Sequence, residues 1–235
     1  MSLAQRDLFI KHIFTTVAPY VDFLSSGFSF GFDHYWRRQA ILLSGIAEGD
    51  RVLDVCTGTG ELAIPLSKKV GAKGSVTGAD FCEEMLMHAR RKTGTRYKNL
   101  SFLLSDAKRL PFRENTFDAV TVAFGMRNIP DTSLALQEIK RVLKPGGKFM
   151  CLELTRPQGS WFRAVYEWYV FRIMPLIGKI VVKTAAPYLY LPRSINAFYP
   201  PDEFRNIIAE SGYEKVTVDS LTMGIATIYR AVKNE

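Results

Sequence analysis

Arg51-Val52-Leu53-Asp54-Val55-Cys56-Thr57-Gly58-Thr59-Gly60 decides the fold. Its first five residues form a short apolar run, the mark of a buried strand. The run enters two glycines, and a helical stretch follows over residues 61–70, with Pro65 near its first turn, where proline is tolerated. A strand that enters a glycine loop and leaves as a helix presents backbone N–H groups without side-chain obstruction. The helix N-terminus favours negative charge at that point.

Outward from this unit, strands and helices alternate. Strands are expected at 75–80, 100–104, 117–123 and 148–154, and helices at 82–92 and 131–143. After an interruption, a helix is expected at 201–211 and two strands at 214–220 and 224–232, the last two pairing antiparallel. Such alternation implies βαβ units with right-handed crossovers. The expected fold is α/β: a mostly parallel seven-stranded sheet with helices on both faces. Ligands of such sheets bind at the carboxyl edge of the strands. Residues 1–48 read as a helical segment broken at Pro19 and across 25–31. Residues 157–195 are aromatic, apolar and basic, with Trp161, Phe162, Tyr166, Trp168, Tyr169, Phe171 and Tyr188 among Arg163, Arg172, Lys179, Lys183 and Arg193. They are expected to form helices covering the site, all within one domain spanning 1–235.

Several function classes are disfavoured by composition. Of the 235 residues, 47% are hydrophobic and 23% charged, as in globular chains and unlike disordered ones. Cys56, Cys82 and Cys151 form no CxxC pair, and His12, His34 and His88 form no metal motif, so no metal is expected. A reduced, cytoplasmic setting fits this cysteine usage. The formal charge of +8 suggests an anionic partner, either nucleic acid or a lipid surface, or simply a basic face. Charges interrupt 157–195, so that stretch is too polar to span a bilayer.

The glycine loop alone is ambiguous. Gly58-x-Gly60-x-x-Ala63, with Asp80 about 20 residues on, also matches the dinucleotide fingerprint. Three acids at successive strand ends tilt the choice. Asp54, inside the strand, would attract an ammonium or sulfonium and repel a pyrophosphate. Asp80, followed by Phe81, ends the second strand, where it can accept from ribose hydroxyls. Asp106 and Ala107 end the third, beside the apolar Leu110-Pro111-Phe112, where an adenine amino group can be read. Each acid taken singly also reads as a helix cap or a solvated loop residue. Together they suit a ligand made of an amino acid, a ribose and an adenine.

These strings carry a resemblance. Val52 to Gly60, Ala79-Asp80-Phe81, Ser105-Asp106-Ala107, Asn115-Thr116-Phe117-Asp118 and Arg141 to Gly147 resemble the Rossmann-like class I S-adenosylmethionine-dependent methyltransferases. More narrowly, Ala123-Phe124-Gly125-Met126-Arg127-Asn128, Glu153-Leu154-Thr155, Tyr190-Leu191-Pro192-x-Ser194-Ile195 and Leu221-Thr222-x-Gly224-Ile225 resemble the ubiquinone/menaquinone-biosynthesis C-methyltransferase family. The resemblance implies S-adenosyl-L-methionine contacts at Thr59, Asp80, Asp106, Ala107 and Ala123; the last lacks the hydroxyl of the serine frequent there. With the loop glycines Gly58 and Gly60, Asp54 and Phe81, these form the expected cofactor set.

The resemblance also implies C-methylation of a prenylated quinol ring, a demethylmenaquinol or a related benzoquinol. Arg127 would then hold the developing phenolate, and Asn128 would orient the ring oxygen. Arg127 also reads as a surface ion-pair residue, and Glu153 as packing or capping. Asp22, Asp33, His34 and Tyr20 are candidate bases. The segment 157–195 reads either as a lid with core aromatics or as an apolar channel whose basic residues rest on the inner face of the membrane. A homodimer stays open. The chain departs from the family at Val21, Ser25, Asp33 and Arg193, where tyrosine, asparagine, histidine and an acid are usual. The alternatives are methylation of another phenol, sterol or amine, and a non-catalytic lipid-binding subunit. RNA methylation lacks an appended binding module and an amine-methylation motif.

Overall fold

The computed structural model describes residues 3–157, 159–176 and 186–234. The expected alternation forms a seven-stranded sheet: β1 (Arg51–Val55), β2 (Ser75–Asp80), β3 (Leu100–Leu104), β4 (Phe117–Ala123), β5 (Leu143–Leu154), β6 (Tyr213–Leu221) and β7 (Ala226–Lys233). Their spatial order is β3-β2-β1-β4-β5-β7-β6. The first five pair in parallel, and β7 runs antiparallel between β5 and β6. The chain reverses direction of growth between β3 and β4, so the crevice opens where β1 and β4 part, at the carboxyl edge.

The central parallel strands β1 and β4 are buried on both faces, whereas the edge strand β3 is half-buried to exposed along its length. On one face α6 (Thr132–Val142) and α9 (Pro201–Glu210) cover the sheet with Leu136, Ile139, Phe204 and Ile208. On the other, α3 (Phe32–Leu43) and α4 (Ala63–Val70) supply Trp36, Ala40, Ala63, Leu66 and Val70. α5 (Glu83–Thr93) packs on β2 and β3, with Glu83 and Glu84 in its first turn and Arg90, Arg91 and Lys92 in its last, as the helix dipole favours.

Several boundaries differ from the sequence reading. β5 begins at Leu143 rather than Lys148, because Leu143 pairs with Phe117 across a bulge before regular pairing resumes at Lys148. α4 starts at Ala63, since residues 60–62 are spent in the turn that leaves the glycine loop. β7 starts at Ala226, because Thr222, Met223 and Gly224 take left-handed φ angles that no strand accepts. In the N-terminal segment, α1 (Leu3–Val17) ends before Pro19, but α2 (Val21–Phe28) runs through Ser25 and Gly27, and the second break falls at residues 29–31. Within 157–195, α7 (Ser160–Trp168) continues as a π turn (Tyr169–Ile173), and α8 (Ala186–Ala197) follows. Lys179 and Lys183 lie outside the described residues.

Candidate active site

One cavity of about 370 Å³ opens at the carboxyl edge. Its floor is Cys56 to Thr59 and Ala123 to Gly125. Its walls come from α1 (Ile10, Ile13, Phe14, Val17), and from α7 and α8 with the turn after α7 (Tyr166, Tyr169, Val170, Tyr188, Leu191). The volume suits a small-molecule site. Gly58 sits at φ 55° with open space where a Cβ would stand, so its backbone is bare toward the cavity. Gly60, at φ 81°, faces away from it and lies under the Phe102 ring, where a Cβ would come within 3.2 Å.

The three acids do different things. Asp80 borders the cavity, accepting from Gly58 N–H at 2.8 Å and Cys82 N–H at 2.9 Å. Burial pushes its carboxyl up to about 6, against those backbone bonds. Asp106 also borders the cavity; Lys108 N–H donates to its Oδ1 at 2.8 Å, Lys108 Nζ stands 3.6 Å from its Oδ2, and the side chain is about half exposed. Ala107, Phe81, Met85 and Phe14 stand around these two acids as an apolar wall. Asp54 departs from the expectation. It is 1% exposed, and its oxygens accept from Thr57 Oγ1 and Thr121 Oγ1, both at 2.7 Å. It lies beneath the floor and fastens the glycine loop to β4, instead of facing a cationic ligand. Burial raises its carboxyl to about 6 as well.

Asp22 occupies a place the sequence did not foretell. It accepts from the Thr59 hydroxyl and from Lys92 Nζ, while Lys92 also reaches Glu61 at 2.6 Å. Helix α2 is thereby fastened to the glycine loop, and Asp7 on α1 is fastened to Lys108 at 2.7 Å. The N-terminal helices thus roof the cofactor edge. Of the other proposed bases, Asp33 borders the cavity but is buried against Arg37 at 2.6 Å and Ser29 at 2.9 Å. Burial pushes its carboxyl up, but Arg37 and Ser29 outweigh that and leave it below the usual carboxylate range. Tyr20 and His34 lie outside the cavity lining, and His34 Nε2 is 3.0 Å from Ser26 Oγ on the surface.

At the far side stands the Arg127 turn. Phe124 takes a left-handed φ of 58°, and its carbonyl accepts from Arg127 Nη1 at 2.6 Å and Asn128 Nδ2 at 3.2 Å. The Arg127 side chain is only 8% exposed, so it is not a surface ion-pair residue. Its Nη1 pairs with the fully buried Glu153, which also accepts Arg127 N–H at 3.1 Å and Leu154 N–H at 2.8 Å. Glu153 is thus both a cap and a counter-ion. Arg127 Nε is buried without a hydrogen-bond partner among the described residues. Asn128 Oδ1 accepts from Tyr190 Oη at 2.9 Å, which joins α8 to this turn. No group of three or more His, Cys, Asp and Glu among the described residues is arranged to hold a metal ion.

The family model of the ubiE/COQ5 methyltransferase family matches residues 2–233. The ubiquinone/menaquinone biosynthesis C-methyltransferase UbiE of Idiomarina loihiensis is 37% identical over 231 residues, covering 97% of this chain and 92% of that protein. Its counterpart in Shewanella oneidensis is 39% identical over 226 residues, covering 95% and 90%. Among solved structures, a SAM-dependent methyltransferase from Aquifex aeolicus superposes with a TM-score of 0.62 at 24% identity, covering 83% of this chain and 88% of that one. Haemonchus contortus phosphoethanolamine N-methyltransferase 2, in complex with S-adenosyl-L-methionine, gives 0.62 at 17% identity, covering 88% and 57%. At these identities the structural likeness speaks for the Rossmann-like fold alone. The family match spans nearly the whole chain and agrees with the bare glycine loop and the acids at the strand ends: this chain belongs to the ubiE/COQ5 methyltransferase family and is an S-adenosyl-L-methionine-dependent methyltransferase.

Proposed function

We propose that the protein methylates a ring carbon of a prenylated quinol, with the cofactor held by Gly58, Thr59, Asp80, Phe81, Asp106, Ala107 and Ala123. The residues at the edge fit that cofactor: a bare loop for its amino-acid end, Asp80 for the ribose, and Asp106 beside an apolar wall for the adenine. The bound cofactor supplies an electrophilic methyl on a sulfonium. In balance, a ring C–H becomes C–CH₃ and one proton is released. The ring carbon becomes nucleophilic when its neighbouring hydroxyl carries negative charge.

The observation that carries this reading is the Arg127 side chain, which borders the cavity and is only 8% exposed. Guanidinium stays protonated, so Arg127 is no base; it stabilises an oxyanion. Glu153 holds it in place, and the Phe124 carbonyl fixes its Nη1. Alignment of acceptor and methyl in the cavity can contribute roughly 7–11 kcal/mol of the barrier. Arg127→Met, made together with Glu153→Gln to avoid an unpaired charge, should lower kcat on a short-tailed demethylquinol by about 10²–10³. S-adenosylhomocysteine affinity, read by calorimetry, should stay unchanged. Full turnover in that variant would end the role given to Arg127.

A lipid surface is the natural source of such an acceptor. Trp161 is 72% exposed and Phe30 76%, and Phe23 and Trp168 are likewise open, beside Arg163 and Arg172. Phe30 packs on Tyr169 at 5.7 Å, and Tyr169 borders the cavity, so Phe30 is continuous with the cavity wall. No helix among the described residues is long and apolar enough to cross a membrane. Peripheral contact through aromatics and arginines is the mode these features support. Vesicle binding should rise with anionic lipid, fall with salt and weaken in Trp161→Ser/Trp168→Ser; equal binding to neutral vesicles would refute the electrostatic part.

A further inference from the structure

The Leu221-Thr222-x-Gly224-Ile225 string joins β6 to β7 through a left-handed turn. Thr222, Met223 and Gly224 take consecutive φ angles of 48°, 53° and 88°. Glycine adopts such angles freely, but a β-branched threonine there is an outlier, and it persists only where its surroundings over-determine it. Three hydrogen bonds hold the turn. Ile225 N–H donates to the Thr222 carbonyl at 3.1 Å, Thr155 Oγ1 to the Gly224 carbonyl at 2.8 Å, and Thr155 N–H to the Ile225 carbonyl at 2.9 Å.

What the turn presents is the Thr222 hydroxyl. It accepts from Trp36 Nε1 at 2.8 Å, across 186 residues of sequence. Trp36, on α3, is 4% exposed, so this bond satisfies a buried donor. Trp36 and Ile225 both border the cavity. The indole meets the Phe124 ring edge-on, at 6.2 Å between centroids, and the Arg37 guanidinium stands 5.1 Å over that same ring. Phe124 is the residue whose carbonyl holds Arg127 Nη1 and Asn128 Nδ2. Contacts therefore run unbroken from the β6–β7 turn through Trp36 and Phe124 to the Arg127 turn.

We propose that Thr222 is a positioning residue for methyl transfer: its hydroxyl fixes the Trp36 indole, and Trp36 holds Phe124 and the Arg127 turn in the alignment the acceptor needs. This rests on the quinol reading above. Thr222 lies outside the cavity lining, so it acts through Trp36. Misplacing a reacting group by about 1 Å can lower a rate about 10²-fold, so a small tilt of this wall registers in turnover.

The test compares the parent with Thr222→Val, Thr222→Ser and Trp36→Phe on a short-tailed demethylquinol at saturating cofactor. Turnover is counted per S-adenosylhomocysteine-binding site, titrated by calorimetry, so loss of folded protein does not register. Valine keeps the β-branch and the left-handed strain of threonine but leaves Trp36 Nε1 without its acceptor. Thr222→Val should lower kcat per site by about 3- to 10-fold, as one hydrogen bond is worth, with cofactor affinity unchanged. Thr222→Ser, which keeps the hydroxyl, should recover most of that loss. Trp36→Phe should lower kcat at least as far, and adding Thr222→Val to it should lower kcat no further, because the bond is already gone. An equal loss in Thr222→Ser, additive losses in the double variant, or cofactor affinity falling in step with kcat would each overturn the proposal. Parent-level kcat per site in Thr222→Val does the same. Trp36→Phe leaves the turn intact, so parent-level kcat there overturns the proposal even where Thr222→Val fails to fold. Each of these results leaves the quinol reading standing; a parent that does not methylate the quinol overturns both.

Discussion

Glu153 is fully buried, and its carboxylate holds the Arg127 guanidinium and two backbone N–H groups. Changing it to glutamine keeps the size and one acceptor oxygen but removes the charge. Arg127, itself 8% exposed at the side chain, is then a buried cation facing a neutral amide. Breaking a buried pair by removing one partner costs about 3–5 kcal/mol. A domain of this length is stable by only about 5–15 kcal/mol, and each kcal/mol shifts the melting temperature by about 2–4 °C. Glu153→Gln should therefore melt roughly 6–20 °C below the parent. Arg127→Met leaves the carboxylate buried with its two backbone donors, so it should also lose stability, by less. The double variant should lose less than either single change, because two neutral side chains of similar size replace a costly buried pair. Urea unfolding of the four proteins yields the coupling energy directly. Additive losses, or a Glu153→Gln change under about 1 kcal/mol, would show that the pair does not hold the Arg127 turn.

Two further outcomes follow from the floor of the site. Asp80 has its carboxyl raised by burial from 3.8 to about 6, so its contribution to folding is present below about pH 4 and lost as pH rises through about 6. Relative to Asp80→Asn, the parent should lose up to roughly 3 kcal/mol of stability between pH 4 and 7, read from urea midpoints. Over the same range its affinity for S-adenosylhomocysteine should rise, as the carboxylate ionises to receive hydroxyls; a variant with the same pH profile as the parent would refute the assignment. Glycine substitutions should separate packing from binding. Gly125→Ala places a Cβ 2.4 Å from Cys56 Cβ and should cost about 1–3 kcal/mol or more, whereas Gly58→Ala meets open space and pays about 1–2 kcal/mol for its left-handed φ. Gly58→Ala should nonetheless weaken cofactor binding more than Gly125→Ala, and the reverse order in calorimetry would contradict the placement of the loop.

The amino-acid order by itself determined the sheet and the edge where the site lies. Apolar runs such as Val52 to Val55 and Phe117 to Ala123, each closed by glycine or an acid, are local signals, and parallel strands buried on both faces leave little freedom in reading them. That Asp80, Asp106 and Ala107 border the cavity was legible because strand ends are local too. What only the tertiary structure decided is which partner each charged group meets. Asp54 read as a ligand for a cation, yet register sets it beside Thr121, 67 residues on, and both its oxygens are spent there and on Thr57. Arg127 read as a surface pair or a lone catalytic group; the pairing of β4 with β5 brings Glu153 beneath it. Asp22 and Tyr188 sit on helices that reach the cavity only after α1, α2 and α8 fold across it. Hydrophobic periodicity says which face of an element is buried, but a hydrogen bond requires two atoms within about 3 Å, and that is fixed by register and packing between distant segments.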